Sequence, residues 1–243
     1  MLSLVIPAYK REKTIVKNLK AIEMVLENQP FKYEIILVVD GMEDRTYEVA
    51  KKLKNSKIKV FGYKRNQGKG YAVRLGIIKA QGDIIGFMDA GLDINPSSII
   101  ILLDFMNLHD ADIVIGSKLH PDSMINYPWG RKILSWGYRT LVHFLFDVSV
   151  KDTQVGLKLF KRKVAKDVFR KIIVKKFAFD VEVLAVASHL GYKKIYEAPV
   201  KINLSLGSIS STNFWIIVFW FLWDTAAVFY RLNILRYYDK KRK

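Results

Sequence analysis

The sequence predicts an α/β fold with a mostly parallel central sheet and helices on both faces. Three features carry this: short β-branched runs recur through the first half, turn or polar residues close each run, and the intervening stretches have helical periodicity. The strand candidates are LSLVIP (Leu2–Pro7), YEIILVVD (Tyr33–Asp40), KIKVFGY (Lys57–Tyr63), IIGFMDA (Ile84–Ala90) and ADIVIGS (Ala111–Ser117). Their apolar character is nearly continuous, as strands covered on both faces require. Helices are expected over Lys13–Asn28, Asp44–Lys54, Lys69–Ala80 and Pro96–Leu108.

A chain of 243 residues with 51% hydrophobic content can bury a substantial core, as one large domain or a domain with an appendage. Its 40 Lys and Arg against 23 Asp and Glu give a formal charge of +17, so the surface suits anionic partners such as phosphorylated small molecules, acidic lipid headgroups or nucleic acid. The absence of cysteine excludes disulfides and Cys-based zinc or redox centres. No signal peptide is expected from MLSLVIPAYK, which has a short apolar run and no basic start.

In parallel α/β sheets, ligands bind beyond the carboxyl ends of the strands. The predicted strand ends deliver Pro7, Ala8 and Tyr9, then Asp40-Gly41, then the loop RNQGKG (Arg65–Gly70), then Asp89 to Asp93, and finally Ser117-Lys118. Any one of these is an ordinary turn former. Together they place acids, glycines and cations on one rim. In FMDAGLDINP (Phe87–Pro96) a straight strand would hold residues 89 and 93 roughly 13 Å apart, too far to share a cation bound at about 2.0–2.6 Å. The chain must therefore curl, and Gly91 is the residue expected to supply the freedom. Oxygen-only ligands favour Mg²⁺ or Mn²⁺. An Asp/Gly turn leading into a capped helix fits the same residues equally well.

The ordered set VIPAY, VVDG, RNQGKGYAVRLG, GDIIGFMDAGLD, GSK and DTQVGLKLFKR resembles the inverting family-2 glycosyltransferases of the GT-A fold. KDTQVGLKLF and FAFDVEVL look most like the polyprenyl (dolichyl) phosphate sugar synthases, and the likeness covers about Leu2 to Leu204. This resemblance implies a nucleotide site at Pro7, Ala8, Tyr9, Glu12, Asp40, Gly68, Lys69, Asp89 and Ala90, with Asp40 on the base and Lys69 near the nucleotide. It implies a metal, Mg²⁺ or Mn²⁺, at Asp89. The third motif position, normally acidic, is Gly91, and Asp93 at the fifth is expected to compensate.

The catalytic set implied is Asp89, Asp93, Lys118, Arg131, Ser135, Asp152 and Gln154. Lys118 stands where the family often has Arg. On a helix, Arg131 and Ser135 would face the same way and could grip a phosphate, although an ordinary basic helix face has the same spacing. Asp152 and Gln154 are expected to close over the sugar or the leaving diphosphate, and a loop-capping role for Asp152 stays open. The histidines, His109, His120, His143 and His189, have no metal-ligand spacing, and GKG lacks the spacing of a P-loop.

The expected division is a glycosyltransferase domain over 1–210, with a nucleotide-binding half (1–117) and an acceptor half (118–210), then an amphipathic helix and basic tail over 211–243. Phe214 to Tyr230 would make a helix of about 25 Å, short of the ~30 Å hydrocarbon core. Its aromatic residues and following cations favour a helix lying on the cytoplasmic face of a membrane, with a core helix or an oligomer interface as the alternative. The function expected is transfer of a sugar from a nucleotide-diphosphate donor, UDP-glucose or GDP-mannose in type, to a polyprenyl or dolichyl phosphate with inversion. A glycan-extending enzyme with a hydroxyl acceptor is the alternative. A nucleic-acid-binding protein is the distant one, since the positive charge is scattered along the chain and no nucleic-acid partner is expected.

Overall fold

The computed structural model describes residues 1–53, 55–123, 137, 140–146, 148, 150, 152–176, 178–203 and 214–239. The expected strands form as β1 (Leu2–Ala8), β2 (Tyr33–Asp40), β3 (Ile58–Tyr63), β4 (Ile84–Met88) and β5 (Ile113–Ser117). The expected helices form as α1 (Ile15–Glu27), α2 (Thr46–Lys51), α3 (Lys69–Lys79) and α4 (Ser98–Leu108). Beyond them lie β6 (Leu157–Lys161), α5 (Arg162–Lys171), α6 (Phe179–His189), β7 (Ile195–Pro199) and α7 (Phe214–Phe229), the last continued by a π-helical turn at Tyr230–Ile234.

The strands make one sheet in the order β3-β2-β1-β4-β6-β5-β7. β6 runs antiparallel between β4 and β5, while the other neighbours are parallel. After β1 the chain builds outward through β2 and β3, then returns to place β4 on the other side of β1. That reversal opens a crevice above the carboxyl ends of β1 and β4, where open α/β sheets hold their ligands.

Alternation along the strands sends side chains to two cores. Leu4 and Ile6 of β1, with Ile35, Leu37 and Val39 of β2, face α1 and α4. Val5, Ile36 and Val38 face α3, α5 and α6. The apolar stripe of α1, Ile15, Leu19, Ile22 and Leu26, is fully buried, and each such side chain stabilises the fold by about 1.5–3 kcal/mol relative to exposure.

The carboxyl-terminal segment folds back onto this body. Tyr238 is 1% exposed, and its hydroxyl donates at 2.5 Å to Glu182 of α6, which also accepts from the backbone N–H groups of Ile173 and Val174. Asp224, the acid inside the apolar α7, accepts from the backbone N–H of Ala178, where α6 begins. The expected amphipathic character of α7 does not appear. Thr225 and Val228 are buried against the body, but the outward side is apolar too, with Phe219, Trp220, Leu222 and Trp223 between 44% and 60% exposed. Among the described residues, no helix is long and apolar enough to cross a membrane.

Candidate active site

A cleft of about 840 Å³ lies at the crevice between β1 and β4. β1 contributes Pro7, Ala8 and Tyr9, β4 is followed by Asp89, Ala90, Gly91 and Asp93, and α3 contributes Lys69 just after Gly68. Asp40 closes one end and Gln154 another. Most residues of the expected site therefore meet in one cavity.

Asp40 is 4% exposed, and its carboxylate is engaged by its own neighbourhood. Oδ1 accepts from the Tyr63 hydroxyl at 2.7 Å and the Gln67 N–H at 2.7 Å, while Oδ2 accepts from the Asn66 amide at 3.1 Å and the Gly68 N–H at 3.0 Å. Burial and the adjacent Asp40 raise the Tyr63 pKa far above the ordinary phenol value. Asp40, the residue expected at the base, lines the cleft and also organises the 65–68 loop that carries Lys69 there. A carboxylate at a strand end satisfies itself with the nearest donors, and this loop presents several at once.

The acids after β4 are shaped by groups remote in sequence. Asp89 donates its N–H to the Gly156 carbonyl at 2.9 Å, and its carboxylate rests on Gly156. A Cβ at position 156 would fall 2.0 Å from Asp89 Oδ2. Gly156→Ala is thus expected to push the carboxylate aside and lower turnover by about tenfold to a hundredfold, with a smaller loss in thermal midpoint; steady-state kinetics beside a melting curve checks both.

Gly91 was expected to supply the curl, but the left-handed residue is its neighbour Leu92, at φ 55°. That conformation is held from a distance: Asn203 donates its side-chain amide to the Leu92 carbonyl at 2.8 Å and its backbone N–H to the Asp93 carbonyl at 2.9 Å. Asn18 similarly fixes the Ala90 carbonyl at 2.7 Å. At Gly91 a Cβ would meet Arg11 Nη2 at 3.6 Å and Asp93 Oδ2 at 3.7 Å, ordinary contacts, so the fold there does not itself demand a glycine.

Lys69 Nζ lies 2.6 Å from Asp89 Oδ1 and above the rings of Phe87 and Phe179, at 5.7 and 5.6 Å. Burial opposes its charge, yet Asp89 and Asp180 outweigh that and raise its pKa above the ordinary lysine value. Asp180 is in turn bound by Lys158, which is wholly buried and also donates to the Val155 carbonyl at 2.7 Å. Burial pushes the Lys158 pKa down, with Asp180 opposing. Acids and ammonium groups thus alternate from the cleft into the sheet.

Three expected site residues lie elsewhere. Glu12 accepts from the Arg45 N–H at 3.0 Å and braces the 43–46 loop, while Arg11 lines the cleft in its place. Asp152 accepts from the Lys118 N–H at 2.9 Å and its own N–H donates to Glu197 at 2.8 Å. It is the loop cap left open by its sequence, with its pKa raised by burial. Neither Asp152 nor Lys118 lines the cleft. Arg131 and Ser135 lie outside the described residues. Sequence reasoning passed over Arg11, Asn66, Lys176, Asp180 and Phe221, all of which line the cavity. Asn66 and Asp180 stood within motifs already singled out, RNQGKG and FAFDVEVL.

The donor set can be tested against a metal ion. Among the described residues, no group of three or more His, Cys, Asp or Glu side chains converges as a self-sufficient site. The cleft offers the carboxylates of Asp89 and Asp93 on either side of Gly91. That all-oxygen, incomplete set fits an ion such as Mg²⁺ or Mn²⁺, which takes the rest of its shell from phosphate oxygens and water.

Comparison with known proteins agrees with this geometry. The sequence model of Glycosyl transferase family 2 matches residues 3–169. The dolichyl-phosphate beta-glucosyltransferase of Drosophila melanogaster is 35% identical over 78% of this chain and 63% of its own length. The human protein of the same name is 33% identical over 83% of this chain and 66% of its own. The chain therefore spans just under two thirds of the length of these curated relatives. Among solved structures, glucosyl-3-phosphoglycerate synthase from Mycobacterium tuberculosis in complex with UDP aligns with a TM-score of 0.71 at 16% identity, over 94% of this chain and 80% of that one. Its complex with Mn²⁺, UDP-glucose and phosphoglyceric acid aligns with a TM-score of 0.69 at 16% identity, over 100% and 81%. Because the family match covers well over half the sequence and the sheet has the GT-A arrangement, this chain belongs to glycosyl transferase family 2.

Proposed function

We propose that the protein transfers glucose from UDP-glucose to a polyprenyl phosphate of the dolichyl type, inverting the anomeric centre. The observation that carries this reading is the convergence of Arg11, Lys69 and Lys176 with Asp89 and Asp93 in one cleft beside Pro7–Tyr9. Cations suit the diphosphate of the donor, and the curated relatives named above support glucose and dolichyl phosphate as the pair.

In this mechanism Pro7, Ala8 and Tyr9 form the wall for the nucleoside, and Asp40 acts through the loop it orders. An acceptor phosphate oxygen attacks the anomeric carbon on the face opposite the diphosphate; the new C–O bond forms as the old one breaks, and UDP leaves. The acceptor is already ionised at neutral pH, so no side chain has to remove a proton, and the protein contributes position and charge stabilisation. Arg11, Lys69 and Lys176 stabilise the charge that builds on the departing diphosphate. A divalent ion held by Asp89 and Asp93 supplies further neutralisation of that leaving group when bound. Gln154, at the cleft wall, is placed to hydrogen-bond the sugar or the diphosphate.

The lipid part of the acceptor has a path along α7. Phe221 reaches the cleft while Trp220 and Trp223, 50% and 60% exposed, face outward. Aromatic side chains of this kind sit at a membrane interface, and the chain's positive charge favours an anionic leaflet, so we place the enzyme peripherally on the cytoplasmic face. Trp220→Ser with Trp223→Ser is expected to weaken flotation with anionic vesicles by about tenfold or more, while turnover of a short, water-soluble prenyl phosphate stays near native. Equal vesicle binding by the variant would count against this placement.

The proposed reaction is tested by offering UDP-glucose, GDP-mannose and UDP-N-acetylglucosamine in turn with dolichyl phosphate and Mn²⁺, then measuring label in the organic phase. UDP-glucose is expected to dominate. Transfer to a glycan hydroxyl in preference to the lipid phosphate would overturn it.

A further inference from the structure

Lys69 occupies an unusual position for a cleft cation. Its ammonium pairs with Asp89, the first acid of the proposed metal site, at 2.6 Å. The other oxygen of that carboxylate rests on Gly156, so the accessible charge of Asp89 is already answered from within the protein. On its far side Lys69 meets the faces of Phe87 and Phe179, and it feels Asp180, which Lys158 fixes from the buried side of the sheet. The ammonium of Lys69 is therefore held between Asp89 and the two ring faces at the edge of the cleft.

We propose that Lys69 is an internal counterion that couples divalent-ion binding to diphosphate binding. An ion entering at Asp89 must draw Oδ1 away from the ammonium, leaving two cationic centres close together. A diphosphate relieves this by accepting the displaced ammonium while its oxygens complete the ion's shell. The ion alone then binds weakly, the ion with a nucleoside diphosphate binds strongly, and by linkage the diphosphate gains the same factor from the ion. This role assigns Lys69 a positioning function beyond nucleotide contact, and it rests on the metal-dependent reading proposed above.

The test is direct Mn²⁺ titration of the full chain, following free Mn²⁺ by electron paramagnetic resonance, with and without UDP and without any turnover. Lys69→Met keeps an unbranched side chain of similar size and removes the charge. It is expected to bind Mn²⁺ alone about fivefold or more tightly than the native protein, and the gain in Mn²⁺ affinity caused by UDP should shrink by a similar factor. Lys69→Arg retains the charge and should keep weak binding of Mn²⁺ alone. Lys69→Gln gives the same readout as methionine if α3 tolerates methionine poorly. Unchanged Mn²⁺ affinity in both neutral variants, with the UDP gain intact, would overturn the inference while leaving metal-dependent transfer standing. Failure of the native protein to bind Mn²⁺ even with UDP would overturn the metal-dependent reading and this inference together.

Discussion

Asp89→Asn should lower glucosyl transfer by about three orders of magnitude, the scale of losing charge stabilisation at a reacting centre. The fold should survive, because Asp89 is half-exposed at the cleft and an amide of nearly the same shape can still rest on Gly156. The substitution removes the charge that the proposed divalent ion needs and releases Lys69 from its ion pair. The loss should therefore fall on kcat, with UDP still able to bind the freed cation. A kinetic comparison with isothermal titration of UDP separates the two effects. An Asp93→Asn variant should lose less, since the Lys69–Asp89 pair stays in place. Near-native turnover in the Asp89 variant would remove these acids from the chemistry.

The second large effect concerns stability. Lys158→Met should cost about 3–5 kcal/mol, the usual penalty for removing one partner of a buried ion pair. Lys158 has no solvent exposure and Asp180 only 6%, so the carboxylate left behind would lose its closest partner where little water reaches it. The double variant Lys158→Met with Asp180→Asn should recover much of the loss, because no uncompensated charge remains. Urea unfolding of the two single variants and the double one measures this coupling. Additive losses would show that Lys158 and Asp180 do not act as a pair. Since Asp180 also faces Lys69, the stable double variant should still bind UDP less well, joining the buried pair to the cleft.

The parts of this protein that could be read from its sequence were those whose causes are local. β1, β2, β4 and β5 are buried on both faces, so their apolar runs are nearly continuous and end at polar residues that mark the crevice, while β3, at the sheet edge, is half-buried. β6 hid because Lys158 interrupts its apolar run, and that lysine is tolerated only because α6 brings Asp180 to it. β7 hid because Tyr196 and Glu197 leave it half-exposed. The cleft followed the same division. Pro7, Ala8, Tyr9, Lys69 and Asp89 were legible as strand-end residues, and the structure brings them together. The curl at Leu92 was assigned to Gly91, the permissive residue nearby. It is imposed instead by Asn203, 111 residues away in the chain. Gly156 carried no signal by itself, since the need for a missing side chain arises only when Asp89 arrives across the sheet. Asp152, expected among the catalytic residues, and Glu12, expected in the nucleotide site, are acids in a row of motifs, yet each accepts from a backbone N–H away from the cleft lining.

The most direct measurement is the identity of the product formed from UDP-glucose and dolichyl phosphate. A ³¹P and ¹H nuclear magnetic resonance spectrum of the extracted lipid should show a phosphodiester whose glucose is in the β configuration, the inverse of the α-linked donor. Free glucose and UDP without a glycolipid, or an α-linked product, would contradict in-line transfer to the phosphate in this cleft.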